Sequence, residues 1–415
     1  MSQRPHIKEL LICRSLLSDP ACQALADVLS GQEEKAGTCA ALLIETAEEV
    51  GLSGNLLRSY LLYRLVHDAN LAAQTTEVSR GPIGESLHQA FVQDIALLLP
   101  FLTQPASDFL GLELLDDYQP TTPLATEAFT ALQDFLAGAE TAEDYAEGLL
   151  TYYSRYGYGD IASYKAFRWD EKNQVLVGIR HFEAMQMDDI IGYAHQKEQL
   201  IDNTEAFVQC KPANNVLLVG ARGTGKSSAV KALANVYYQR GLRLLQLTKP
   251  QLQNLPAIME NLRYFASKRF IIFLDDLSFE EAEAEYKYLK SAIEGGVESR
   301  PENVLIYATS NRRHLIREHW RDRAEGQDEV YRDDSINETI SLSDRFGLII
   351  QYYAPDQKEY LAIIDHRLRK AGIELSPEEL RIAGTRWEMT HSGRSGRTAQ
   401  QFVAHYLGQL DGSNN

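Results

Sequence analysis

Eight consecutive residues carry the clearest chemical pattern in this chain. Residues 220–227 read Gly-Ala-Arg-Gly-Thr-Gly-Lys-Ser, which fits the spacing G-x-x-x-x-G-K-[ST] between an apolar segment and a segment with helical spacing. Glycines let successive backbone N–H groups turn towards a phosphate, and the following helix N-terminus adds partial positive charge. The pattern predicts ATP and Mg²⁺ as ligands, with Lys226 on the β and γ phosphates and the Ser227 hydroxyl on the metal. The predicted nucleotide-binding residues here are Gly220, Ala221, Arg222, Gly223, Thr224, Gly225, Lys226, Ser227 and Ser228.

Polar residues follow two further apolar segments. Residues 270–274 are apolar and precede Asp275 and Asp276, the arrangement of a Walker B element. Asp275 would hold the Mg²⁺ shell, and Asp276 would polarise the attacking water. Residues 304–308 precede Thr309, Ser310 and Asn311. The Asn311 amide is a candidate to orient that water or to contact the γ phosphate, although an Asn at a strand end is also a common turn former.

The order of these motifs resembles that of the AAA+ superfamily of P-loop NTPases. From about residue 188 to residue 410 the chain is similar, more closely, to a bacterial AAA+ family known only as an ATP-binding domain of unknown function. The stretches that carry the similarity are 215–228, 275–280, 307–315, 341–347 and 394–397.

The resemblance implies roles for residues outside the phosphate loop. Arg345 would be an arginine finger that enters the ATP site of a neighbouring subunit, so the chain would form a homo-oligomer. Arg397, or failing that Arg394, would report nucleotide state to a C-terminal lid. Without the resemblance, Arg345 could equally pair with Asp344, and the lid arginines could be solvated. The residues expected beside adenine, which could also be plain core, are Ile191, Gly192 and Tyr193.

The hydrophobic pattern predicts an α/β protein with an added helical part. From residue 35 to about residue 154, apolar residues recur three and four apart, which is typical of helices. After residue 180, short apolar strands alternate with helices, which indicates a parallel sheet covered on both faces. The strand candidates are 215–219, 242–247, 270–274, 304–309 and 348–352. We therefore expect an acidic all-α N-terminal domain (1–165), a linker (166–187), an AAA+ P-loop NTPase three-layer core (188–354) and a helical lid (355–410).

Charge and cysteine content limit the partners and the compartment. Residues 1–165 carry 23 Asp and Glu against 9 Lys and Arg, which favours a protein partner over nucleic acid for this part of the chain, although plain solubility explains the charge equally well. Four cysteines without paired spacing indicate neither a zinc site nor disulfides, and they are expected to be buried apolar side chains in a cytoplasmic protein. Because no apolar stretch has the length of a bilayer span, no membrane contact is expected.

Two departures from the AAA+ pattern bear on function. The second acid of the Walker B element is Asp276, one methylene shorter than the usual Glu, so hydrolysis is expected to be slow. Between residues 247 and 270 there is no aromatic-apolar-Gly pore loop, which disfavours polypeptide threading.

Three hypotheses remain at this stage. The first is an oligomeric ATPase that remodels or loads a protein partner. The second is an ATP-dependent assembly switch with little turnover. The third, a nucleic-acid loader, draws on a run of arginines in 312–323 that neighbouring acidic residues largely cancel.

Overall fold

The computed structural model describes residues 7–79, 81–123, 126–279, 285–294, 300–311, 345–391 and 393–412. The chain divides into two compact units. One contains Met1–Tyr164 with two short later segments, Gln239–Gly241 and Arg263–Lys268, and the other contains the rest of the chain. Within the described residues, no helix is both long enough and apolar enough to cross a bilayer.

The first unit is helical, as predicted. Its helices are α1 (Pro20–Leu29), α2 (Ala36–Val50), α3 (Leu56–His67), α4 (Leu71–Ser79), α5 (Glu85–Thr103), α6 (Ser107–Leu110), α7 (Glu127–Phe135), α8 (Ala142–Tyr156) and α9 (Gly159–Ser163). Local sequence sets several of their ends. The Asn55 side chain accepts from the Arg58 N–H and caps α3, while Gly51, at φ 82°, ends α2 in a left-handed conformation that glycine adopts without strain.

The four cysteines are free thiols, and Cys13, Cys22 and Cys39 are buried. Burial raises the pKa of the Cys39 thiol to about 12, so it is an unreactive apolar side chain. The prediction is wrong for Cys210, which is exposed, because it lies at φ 60° in a turn directly after a helix end.

The second unit is built on a sheet whose strands are β1 (Ala166–Asp170), β2 (Val175–Gly178), β3 (Val216–Gly220), β4 (Leu242–Leu247), β5 (Arg269–Leu274), β6 (Val304–Ser310) and β7 (Leu348–Tyr352). In space their order is β2-β1-β4-β5-β6-β3-β7. All neighbouring pairs are parallel except β1 with β2. The five strands predicted from the sequence are the contiguous part from β4 to β7.

Strands β1 and β2 were not predicted, and the segment 166–187 that was expected to be a linker contributes both of them to the sheet. Ala166 pairs with Leu244 of β4, and β2 folds back antiparallel on β1. Their sequence is short and mixed, Ala-Phe-Arg-Trp-Asp and Val-Leu-Val-Gly. It therefore lacks the long apolar run that marks the central strands.

Helices α10 (Ala194–Val208), α11 (Lys226–Tyr237), α12 (Leu255–Arg263) and α13 (Glu285–Glu294) connect the strands. Alternate strand residues, such as Leu218 and Phe273, join α10 and α11 in one buried cluster. The residues between them, such as Leu217 and Ile272, are also fully buried. Since successive side chains of a strand point to opposite faces, both faces of the sheet are covered. The expected three-layer α/β core with a mostly parallel sheet is confirmed.

Three helices after the last strand form the lid that the sequence predicted: α14 (Gln357–Lys370), α15 (Pro377–Thr390) and α16 (Gly396–Gly412). They enclose a small core of their own, which includes Tyr360, Ile364 and Phe402. Asp356 and Ser376 begin α14 and α15 with capping boxes. In each box the N-cap side chain accepts from the backbone N–H of the glutamate at N3, and the side chain of that glutamate accepts from the N-cap backbone N–H.

Candidate nucleotide-binding site

The phosphate loop connects β3 to α11 and has the backbone conformation that its glycines allow. Gly223 and Gly225 lie at φ 72° and 90°, and Gly225 is the N-cap of α11. Gly220 is at φ 145°, where an added Cβ would lie 1.9 Å from the Tyr352 carbonyl oxygen. Glycine is therefore required at Gly220 both by backbone conformation and by the close approach of β7.

The Lys226 ammonium group lies inside this loop. It donates to the carbonyl oxygens of Gly220 and Ala221, each at 2.8 Å, and to Oδ1 of Asn311 at 3.2 Å. The side chain is only 6% exposed. Burial lowers the pKa of Lys226, against the opposing effect of Asp276 and Asp275. The Lys226 ammonium group is held here by neutral oxygens. Charged phosphate oxygens are stronger acceptors and could replace them.

Asp275 lies at the carboxyl end of β5 and links three elements. Its Oδ1 accepts from the Ser227 hydroxyl at 2.5 Å and from the Thr309 hydroxyl at 2.6 Å. A serine hydroxyl and a carboxylate held side by side are oxygen ligands of the type that Mg²⁺ takes. The two residues predicted to bind the metal are thus in contact.

Asp276 has an uncommon backbone conformation. Its φ is 51°, in the left-handed region that non-glycine residues seldom adopt and that Asp tolerates better than most. The Asp276 N–H donates to the Thr309 hydroxyl at 2.9 Å, and the carboxylate accepts from the Asn311 side-chain amide. Thr309 therefore orients both acids, and backbone strain of this kind is concentrated at functional sites.

A cavity of about 590 Å³ opens over these groups, within the usual range for small-molecule sites. The structure brings most of the predicted site residues to its walls. Those that line it are Ile191, Tyr193, Arg222, Gly223, Thr224, Gly225, Lys226, Ser227, Ser228, Asp275, Asp276, Asn311 and Arg397. Gly220 and Ala221 instead line a smaller neighbouring cavity that shares Asn311, and Gly192 lines neither.

An apolar wall stands next to the phosphate loop. Ile190 lies close to Gly225, with Cγ2 3.3 Å from where a Cβ there would be, and Ile191 packs against the lid core. Tyr193 adopts a left-handed conformation at φ 56°. Its hydroxyl donates to the Tyr353 carbonyl at 2.7 Å, and burial raises its pKa to about 12. This wall can accept a planar base.

The lid touches the phosphate loop directly at the start of α16. The Gly396 N–H donates to the Gly223 carbonyl at 2.7 Å, and Arg397 lines the cavity. Arg394, the second choice for a nucleotide sensor, instead pairs with Glu388 at 2.7 Å and does not line it. Of Arg394 and Arg397, the two arginines considered as nucleotide sensors, only Arg397 lines this cavity.

Arg345 is not brought to this cavity. It lies directly before Phe346, which is fully buried, and it is not among the lining residues. The run of arginines considered for nucleic-acid binding falls within 312–344, outside the described residues.

Several residues on the cavity walls were not picked out from the sequence as site residues. They are Met185, Lys231, Thr309, Ile363, Arg367, Gly396 and Gln400. Lys231 follows the predicted residue Ser227 by one helical turn, so helical spacing is a signal that could have found it. Met185 has no such signal; Asn235 holds its carbonyl, at 2.9 Å.

Comparison with known proteins matches the chain to one family and, over part of its length, to several solved structures. The family model described as "Protein of unknown function (DUF815)" matches residues 162–410. Among curated proteins, no sequence matches the chain. The RuvB Holliday junction branch migration motor of Thermotoga maritima is 18% identical, with a TM-score of 0.40 over 56% of this chain and 67% of that one. The C. elegans PCH-2 structure is 16% identical, with a TM-score of 0.35 over 52% and 63% of the two chains. Because the family model covers more than half of the residues, this chain is a member of the DUF815 family.

Proposed function

We propose that this chain is an oligomeric AAA+ ATPase that binds Mg-ATP and couples its binding and hydrolysis to the remodelling or loading of a protein partner. The observation that carries the proposal is the single cavity that combines a phosphate loop, two strand-end acids, Asn311 and the lid residue Arg397. Fold alone does not imply activity. These groups, however, are the ones that phosphate binding, metal binding and water activation require.

The residues present fit Mg-ATP. The glycine conformations of the loop leave its N–H groups and the N-terminus of α11 to receive phosphate oxygens. Lys226 supplies positive charge, and Ser227 with Asp275 supplies oxygen ligands. When bound, Mg²⁺ would neutralise part of the phosphate charge and so favour displacement at the γ phosphate.

Asp276 is the proposed general base, and Asn311 is its positioning partner. The amide of Asn311 donates to the Asp276 carboxylate and its oxygen accepts from Lys226, so one side chain connects the base to the phosphate-binding cation. Asp276 would accept a proton from the attacking water at its carboxylate oxygen. We expect Asp276→Asn to retain nucleotide binding and lose turnover.

The proposed role of Arg345 in a neighbouring subunit can be tested by mixing two inactive variants. Lys226→Ala removes nucleotide binding but keeps Arg345, and Arg345→Ala keeps binding but lacks the finger. Each alone should lose about 100-fold or more of the ATPase rate, as expected for one lost transition-state donor. Mixed, they should regain activity, because an intact Arg345 can then enter an intact site of another subunit.

Arg381 provides the matched control. It is an exposed lid arginine whose visible partner is Glu378, at 2.8 Å, so Arg381→Ala should leave the rate unchanged. If Arg345→Ala alone turns over at the normal rate, or if the mixture of the two inactive variants stays inactive, the intersubunit role is wrong. Particle counting with a slowly hydrolysed ATP analogue would give the number of subunits.

One observation favours the second candidate, an ATP-dependent assembly switch. Asp276 is one methylene shorter than the usual Glu, and one of its carboxylate oxygens already accepts from Asn311, so its carboxylate reaches less far towards a water at the γ phosphate. A switch would assemble on binding ATP and would be indifferent to Asp276→Asn. Steady-state turnover on the order of once per second per subunit, within the usual range for enzymes, would exclude it.

The acidic first unit is the proposed site for the protein partner. Residues 1–165 have a net charge of −14, which attracts basic protein surfaces and repels phosphate backbones. Capture of a partner by residues 1–165 should weaken with rising salt. Salt-dependent binding of DNA by the whole chain would instead support a nucleic-acid loader.

A further inference from the structure

The last turns of helix α14 carry a group of basic residues, and all but one have a visible acidic partner. Lys370 donates to Oδ1 of Asp189 at 2.5 Å, and Nε2 of His366 lies 4.0 Å from the same oxygen. Arg369 pairs with Asp365 at 2.9 Å on the exposed side of the helix. Arg367 is the exception.

Arg367 turns towards the nucleotide cavity. It is half-buried and lines the cavity together with Ile363, one helical turn before it. Its Nε is buried and has no hydrogen-bond acceptor among the residues that the structure describes. A buried guanidinium nitrogen without an acceptor costs free energy, and an anion in the cavity would remove that cost.

The position of Arg367 along the cavity indicates which part of a nucleotide it meets. Lys226, Asn311 and Asp276 mark the end where the γ phosphate would lie. Ile363 lies in the lid core against which Ile191 packs, so this is the apolar end, suited to the base. One helical turn, about 5.4 Å, separates Arg367 from Ile363.

We propose that Arg367 binds the nucleotide directly and contacts the phosphate nearest the nucleoside, the α phosphate. The inference rests on the proposed ATP site and adds a second lid arginine to it. Arg397 lies beside Gly223 and would contact the phosphates farther from the nucleoside. Arg367 would contact the α phosphate, which ATP and ADP share. The lid would then remain bound to the nucleotide after hydrolysis.

The experiment measures ATP and ADP affinities of the full chain by calorimetry. Arg367→Met keeps an unbranched side chain and removes the charge. It should weaken both nucleotides by the same factor, about 10-fold to 100-fold, the range for a lost charge-assisted hydrogen bond. Arg397→Met should weaken ATP more than ADP. Arg369→Met, the matched control from the same helix end, should change neither affinity.

Three results would overturn the proposal: affinities of Arg367→Met within about twofold of the unaltered chain, a loss confined to ATP, or an equal loss in Arg369→Met. If Arg367→Met does not fold, Arg367→Lys replaces it, because Lys keeps the positive charge at the helix end but lacks the planar guanidinium group. Arg367→Lys should lose affinity for ATP and ADP equally. If the unaltered chain binds neither nucleotide, the proposed function itself fails.

Discussion

Asp275→Asn tests the proposed metal-binding role of Asp275 separately from its hydrogen bonds within the protein. In the structure, Oδ1 of Asp275 accepts from the hydroxyls of Ser227 and Thr309, at 2.5 and 2.6 Å. An Asn side chain keeps an oxygen acceptor with nearly the same shape but loses the negative charge. The variant should therefore fold and retain both hydrogen bonds in weaker form.

The magnitude follows from those two bonds. A hydrogen bond to a charged group contributes about 1.5–3 kcal/mol and a neutral one about 0.5–1.5 kcal/mol, so each weakened bond costs roughly 1 kcal/mol. Two bonds give about 2 kcal/mol of lost stability. For a unit of roughly 150–250 residues this lowers Tm by about 4–8 °C.

The effect of Asp275→Asn on ATP affinity should depend on whether Mg²⁺ is present. In Mg²⁺, Asp275→Asn should lower ATP affinity at least about tenfold, equivalent to about 1.4 kcal/mol, because a charged ligand of the metal shell is gone. In EDTA the same variant should bind ATP no more weakly than the unaltered chain, since it has one negative charge fewer beside the phosphates.

Calorimetric titration with ATP in Mg²⁺ and in EDTA measures both effects. Asp276→Asn is the matched control, because it removes the adjacent charge without touching Ser227 and should keep the magnesium dependence of binding. An Asp275→Asn chain whose ATP affinity is still raised by Mg²⁺ to the normal extent would refute the assignment of Asp275 to the metal.

Two further outcomes are expected. Glu77 and Lys268 form a fully buried ion pair at 2.9 Å in the first unit. Glu77→Gln should lower the free energy of unfolding by about 3–5 kcal/mol, with Glu77→Gln/Lys268→Met recovering much of it in urea titrations; equal stability of all three chains would contradict this. Because burial lowers the pKa of Lys226 and phosphates bind its charged form, ADP affinity without Mg²⁺ should fall as pH rises through that lowered pKa, below the ordinary 10.5, whereas Lys226→Arg should show no such fall.

The patterns that lie within a few consecutive residues were readable from the sequence. The phosphate loop is determined by glycines that permit positive φ, and the central strands by apolar runs that only a doubly covered sheet can bury. The strand ends then place Asp275, Asp276 and Asn311 along one edge, because parallel strands share their direction. The parallel α/β core, its helical lid and the grouping of these predicted site residues follow from these local rules.

The tertiary structure decided what depends on packing between distant residues. Strands β1 and β2 are too short and mixed to be recognised alone. Strand β1 is stabilised by pairing with β4, more than 70 residues later in the chain, and β2 by pairing with β1. The apolar wall of the site combines Ile191 with the lid core around Ile363. Thr309 bonds both acids, and Arg367 turns to the cavity while Arg369 does not. These features depend on the direction of side chains and on contacts between residues far apart in the chain, which a short stretch of sequence does not determine.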